Sequence, residues 1–296
     1  MLDKFISYYN KAKMMQELKF EGGNWTEQDV DDPLVWNIPI YDVVNRKYAA
    51  FSSLLEAISK RENDPKGNGK YFKDLDINSE DFIKLCYLFR LCGSGINYIP
   101  KTEDPWGTHG FGNFWVIDFL RQNKSDPKEW IDYIPDKKFC DVKGYLLPMI
   151  KGGLKNFIEK NSIDLVDHMT QYMQSHELVG IKDFVDEGNS WLMNRGFKRQ
   201  NFVLTAFAID MAEYFPTLVD RDSDVYVGSN AKKCLKQIMP GVKHDKALRD
   251  LCKLTGGYSK PYDMEDVACD FIRYMDNFQS IDHIKNNNNI IYKNNV

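Results

Sequence analysis

The sequence predicts an all-α fold. Three observations carry that expectation. Apolar residues recur at helical spacings of three and four along most of the chain, alternating Val/Ile-rich runs are few, and Asn, Ser, Asp, Pro and Gly stand where the periodic stretches begin or stop.

Taken in order, helices are expected over residues 3–18 and 40–60, and then in "NSEDFIKLCYLFRLC". There Asn78 or Ser79 caps a helix with Phe82, Leu85, Cys86 and Phe89 on one face. Further helices are expected over 112–122, 145–159, 162–176 and 181–193. "RQNFVLTAFAIDMAEYFP" is apolar nearly all round from Phe202 to Phe215 and stops at Pro216, as a helix buried in the middle of a fold would. Asp210 within it needs a buried partner or a narrow exposed stripe shared with Glu213. Residues 229–239 and the stretch "SKPYDMEDVACDFIRYMDNF" complete the set. The last helix carries Asp263 as its cap and Val267, Phe271, Tyr274 and Phe278 on one side. Turns are expected at "NDPKGNGK", "SDPKEWIDYIPDKK" and "FPTLVDRDSD". No linker separates domains, so a single helical domain over 1–280 is expected, with an Asn-rich loose tail over 281–296.

Composition narrows the class. At 296 residues, 43% of them hydrophobic and 14% aromatic, the chain has ample material for a packed core. No apolar run approaches the roughly 18 residues of a membrane span, and the opening "MLDKFISYYNKAKMMQELKF" lacks a secretory apolar core. A cytoplasmic or nuclear setting follows as the expectation, without secretion or membrane. The six cysteines are scattered with no CxxC, so they are read as reduced thiols, and neither metal nor other cofactor is expected. A formal charge of -4 argues against wholesale coating of nucleic acid and leaves a local basic groove open.

Several stretches carry chemistry. In "GSGINY", Gly93 and Gly95 admit unusual backbone conformations and close approach of a ligand, while Ser94 and Asn97 offer hydrogen bonds. A phosphate cradle and a glycine-rich helix end are both compatible with it; the absence of a following Gly-Lys-Ser/Thr removes the Walker loop. In "THGFGNFWV", His109 and Asn113 lie among Phe111, Phe114 and Trp115, the residue types of a base pocket, or of a core with Asn113 capping a helix. "NRGFKRQNF" gathers Arg195, Lys198 and Arg199, suited to phosphate oxygens or to a solvated helix end. Residues 231–253 hold seven Lys/Arg against two Asp, in contrast with the acidic whole; a strip facing a polyanion and an ordinary exposed face both fit. Asp266, Asp270 and Arg273 lie along one helix face, with Asp266 placed for the helix dipole and Asp270 for a pair with Arg273.

"FRLCGSGINY", "HGFGNFW", "DVYVGSNAKKCLKQI" and "PYDMEDVACDFIRY", in that order, resemble the signature segments of the α-glutamyl/putrescinyl thymine pyrophosphorylases. These amino acid:DNA transferases are a viral DNA-hypermodification family similar in fold to the helix-hairpin-helix DNA glycosylases. The resemblance spans roughly residues 25–278 and implies a helical glycosylase-like, helix-hairpin-helix architecture. It also implies a substrate: 5-hydroxymethyluracil in DNA, pyrophosphorylated by a hydroxymethyluracil DNA kinase, from which an amino acid or polyamine displaces pyrophosphate.

On matching positions, the resemblance implies that backbone amides of Gly228, Ser229 and Asn230, with Lys232 and Lys233, hold a DNA phosphate. Asp263 resembles the aspartate at a helix start that faces an extruded nucleotide. It lies 35 residues beyond Gly228, farther than the usual glycosylase spacing, and no nucleophilic lysine is identified. The chemistry then asks for base flipping, and for a base to deprotonate the amine, Asp263 first and His109 second. Arg195, Lys198 and Arg199 would stabilise the leaving pyrophosphate, while Asn97 and Asn113 read the uracil edge beside Gly93, Ser94 and Tyr98. Asn97, His109 and Asn113 are expected to converge facing Asp263. A glycosylase that excises a modified base, and a helical DNA-binding module that assists the kinase, are the competing readings.

Overall fold

The computed structural model describes residues 1–20, 44–48, 82–84, 86–87, 90 and 163–277, and these are mostly helical. Within the span expected as one domain the chain forms two compact units, one of residues 1–57 and 224–296, the other of residues 58–223. The expected helices over 112–122 and 145–159 and the tail over 281–296 lie outside the described residues, as does most of 40–60.

In the unit of residues 58–223, α2 (Ile163–Gln174), α3 (Ile181–Asn194) and α4 (Asn201–Tyr214) pack in succession. Helix α4 buries Val203, Leu204 and every residue from Ala206 to Ala212, which is why its sequence shows no polar face. Gly188 of α3 lets that packing close up, because a Cβ there would meet the Leu204 methyl carbons at 3.0 Å. Tyr87 and Phe184 set their rings edge-on to Phe207 at 5.3 and 5.4 Å. Asp210 is fully buried and finds its partner in Arg90. Glu213 pairs instead with Arg221 at 3.1 Å.

Two short strands, β1 (Val179–Gly180) and β2 (Val219–Asp220), pair in parallel with Val179 opposite Val219. The second falls in a stretch whose Pro, Thr and Asp read as a turn. Burial of Val179 and Val219 on the α3 and α4 side draws both segments into register.

In the other unit, α7 (Pro261–Asn277) packs against α5 (Ser229–Ile238), α6 (His244–Leu254) and α1 (Leu2–Phe20). Phe271 receives the rings of Phe5 and Tyr8, each at 5.4 Å and edge-on. The expectation for residues 231–253 stops at a charged strip, yet α6 lies within it. Ala247, Leu248, Leu251 and Cys252 form its buried face, and the charges that dominate its composition point outward. Cys86, Cys234, Cys252 and Cys269 form no disulfide among the described residues; the first three are buried and Cys269 is half-buried. No described helix is long and apolar enough to cross a membrane.

Candidate functional site

The helical hairpin is α5, the turn Met239–Lys243 and α6. The α5 chain ends where the Met239 amide bonds to Leu235 O at 2.8 Å. Pro240 then follows, and Gly241 takes φ 80°, a left-handed conformation that glycine adopts at little cost. The Val242 amide closes the turn on Met239 O at 3.3 Å, and extended Lys243 caps α6 with its backbone alone. Gly241, Lys236 and Lys243 are exposed, and neither lysine forms an ion pair among the described residues. Lys246 pairs with Asp250 at 2.5 Å and Arg249 with Asp224, so part of the basic strip is neutralised within the chain.

The glycine turn that the resemblance implied, at Gly228, Ser229 and Asn230, falls at the start of α5 rather than between α5 and α6. Gly228 is the extended residue before α5, at φ -70° and ψ 169°, and its amide donates to Glu265 Oε1 at 2.7 Å. A carboxylate therefore occupies the positive end of α5 where a DNA phosphate was expected. Ser229, Asn230, Lys232 and Lys233 are exposed in the first turns of α5. Asp263 lies 22 residues beyond Gly241 and 35 beyond Gly228.

Asp263 is not the helix cap. Pro261 opens α7, as its fixed φ and missing N–H favour, and Asp263 stands third in the helix. From there its side chain reaches back: Oδ2 accepts the Lys260 amide at 2.6 Å, and Oδ1 accepts the Arg46 amide at 2.5 Å. The carboxylate is fully buried and ties the 3-10 turn Arg46–Tyr48 to the start of α7. The Arg46 side chain places Nη1 2.5 Å from Asp266 Oδ2, so Asp266 serves an ion pair as well as the helix dipole.

Buried polar groups continue this seam. Ser259 donates to Val44 O, so the Tyr9 hydroxyl, 2.7 Å away, donates to Ser259. Gln16 donates from Nε2 to the Tyr258 hydroxyl at 2.8 Å and accepts the Asn45 amide at 3.0 Å. Burial pushes the Tyr9 phenol above its ordinary range, and the Asp263 charge adds to that direction.

In the other unit, Arg195 ends α3 and lays its guanidinium 3.7 Å from the Trp191 ring centroid. Gly196 turns the chain at φ 81°, and Lys198 and Arg199 stand exposed before α4. Beneath them lie buried amides absent from the sequence reading. Asn189 accepts the Gln200 amide and donates to Asn201 Oδ1, both at 2.7 Å, and Tyr87 donates to Gln200 Oε1 at 3.0 Å. The available signal was Asn189 on an otherwise apolar stripe of α3.

Gly93, Ser94, Asn97, Tyr98, His109 and Asn113, and their expected convergence, lie outside the described residues. No cluster of metal-ligating side chains occurs among the described residues. No protein-family model, curated protein or solved structure matches the chain.

Proposed function

We propose that the chain is a DNA hypermodification transferase, in which an amine displaces pyrophosphate from pyrophosphorylated 5-hydroxymethyluracil in DNA. The observation that carries the reading is the order of parts around α6: two helices joined by a turn with left-handed Gly241, then Asp263 near the start of the next helix. Exposed Lys236 and Lys243 flank the turn, where cations and open backbone amides suit a phosphodiester.

In the reaction a C–N bond forms at the exocyclic methylene carbon as the C–O bond to pyrophosphate breaks, and the amine's proton passes to a base. In the unit of residues 58–223, Arg195, Lys198 and Arg199 are the groups proposed to bind phosphate oxygens. Asp263 is the proposed base and His109 the second candidate. Asp263 would have to release one of its main-chain donors to act. Its burial between the Arg46 and Lys260 amides favours a second reading, a DNA-binding module in which Asp263 is structural.

Incubating the protein with DNA carrying pyrophosphorylated hydroxymethyluracil and a pool of amino acids and polyamines, then weighing the digested nucleosides, tests this. An amine adduct supports the transferase. Abasic sites would mean a glycosylase, and retention of the DNA without a mass change would leave the binding module.

A further inference from the structure

The corner between α3 and α4 holds a donor that no acceptor meets among the described residues. Gln200, from which α4 starts, is 4% exposed. Its Oε1 accepts from Tyr87 and its main-chain amide donates to Asn189, but its Nε2 has no partner. A buried N–H without an acceptor is costly, so an orphan of this kind calls for an explanation, and an acceptor from outside the chain is one. No side chain caps the first turn of α4, which leaves the positive end of a 14-residue helix at the same corner.

The charges agree with that polarity. Lys198 and Arg199 are exposed within two residues of Gln200 and form no ion pair among the described residues. Arg195 stacks the face of its guanidinium on Trp191, and a stacked guanidinium keeps its N–H edges available for in-plane acceptors. Asn189, 1% exposed, fixes the corner by bonding both Gln200 and Asn201. The corner is therefore held by buried bonds on its inner side, and the charged side chains exposed on it, Arg195, Lys198 and Arg199, are all cations.

We infer that the α3–α4 corner is a preformed site for a phosphate oxyanion, held by Arg195, Lys198, Arg199 and the Gln200 side-chain amide. Three cations beside one neutral donor suit a group with more than a single charge. A terminal phosphate or a pyrophosphate, each carrying more than one charge, fits better than a carboxylate. The inference rests on the transferase reading only for the use of these cations in turnover; the binding site follows from the corner itself.

The test titrates the full chain with inorganic pyrophosphate, and separately with a single-stranded oligonucleotide, at constant ionic strength held with chloride. Trp191 fluorescence, with Trp191→Phe to identify its share, and calorimetry report binding. Saturable binding of pyrophosphate is expected. Lys198→Ala/Arg199→Ala should weaken it about tenfold or more, both residues being exposed and free to change without unfolding the chain. Gln200→Glu, which keeps the acceptor for Tyr87 and turns the orphan donor into a carboxylate, should weaken it at least as much. Competition by the oligonucleotide would identify a backbone phosphate as the occupant, and its failure to compete would identify a free or terminal phosphate.

No saturable binding of either probe, or equal affinity in the double variant, overturns the inference. If the double variant loses pyrophosphate and the protein never changes a nucleoside mass, the site stands while the transferase reading falls. If nucleosides are modified and pyrophosphate affinity is unchanged in the variant, the reverse holds.

Discussion

Arg90 and Asp210 meet two on two: Nε lies 2.6 Å from Oδ2 and Nη2 lies 2.6 Å from Oδ1, with the carboxylate fully buried in α4. Such a pair contributes less through its own attraction than through what breaking it leaves behind. Arg90→Met strands a buried carboxylate and is expected to destabilise the fold by about 3–5 kcal/mol. Arg90→Met/Asp210→Leu removes both charges and should recover most of that loss. Urea unfolding of the wild type and the two variants measures it; a double variant no more stable than the single would contradict the account.

Asp263 offers a second case of a carboxylate fixed by geometry. Its two oxygens accept main-chain amides from Arg46 and Lys260. In Asp263→Asn one of those oxygens becomes an N–H2 facing another donor, so a loss of about 2 kcal/mol is expected. Amide exchange at Arg46 and Lys260 should speed up in parallel. Unchanged exchange at both would show that the carboxylate does not hold them.

The sequence exposed the parts of this protein whose physics is local. Helix α4 was legible because a helix buried all round has nowhere to put a polar residue, and its one carboxylate announced the need for a partner that Arg90 fills. Helix α6 was hidden because its four buried residues are outnumbered by charges that only the packing turns outward. The left-handed turn was hidden for a similar reason: Gly228 and Gly241 both precede helices, and only the backbone separates extended from left-handed. An aspartate after a proline fits a cap or an interior position alike, and the Lys260 amide decides for the interior one at Asp263. The buried amides of Asn189 and Gln200 depend on residues far apart in sequence, which no spacing reveals.

Alkaline pH should weaken the unit that contains α5. Burial pushes the Cys234 thiol from 9.0 up to about 12. A raised pKa means that the folded chain keeps a proton which the unfolded chain gives up, so this contribution is complete below pH 9 and is lost as pH rises toward 12. Cys86 and the Tyr9 phenol, both raised chiefly by burial, act in the same direction. The urea midpoint is expected to fall between pH 9 and 11, and less steeply in Cys234→Ala. A midpoint independent of pH over that range would contradict the assignment.

Gly241 joins fold and proposed function at one residue. Nothing lies within 4 Å of where its Cβ would stand, so Gly241→Ala meets no steric block and its cost is the left-handed backbone alone, about 1–2 kcal/mol. If the turn grips a phosphodiester, straightening it should weaken duplex binding beyond that loss of stability, whereas Gly256→Ala, equally open and also left-handed at φ 86°, should cost stability without touching affinity. Lys236→Ala and Lys243→Ala provide the electrostatic half of the same measurement. Each is expected to reduce the slope of log affinity against log salt by about one, as removal of one phosphate contact does. Binding isotherms at several salt concentrations resolve the two effects, since a turn that only connects α5 to α6 would leave both slope and affinity where the wild type has them.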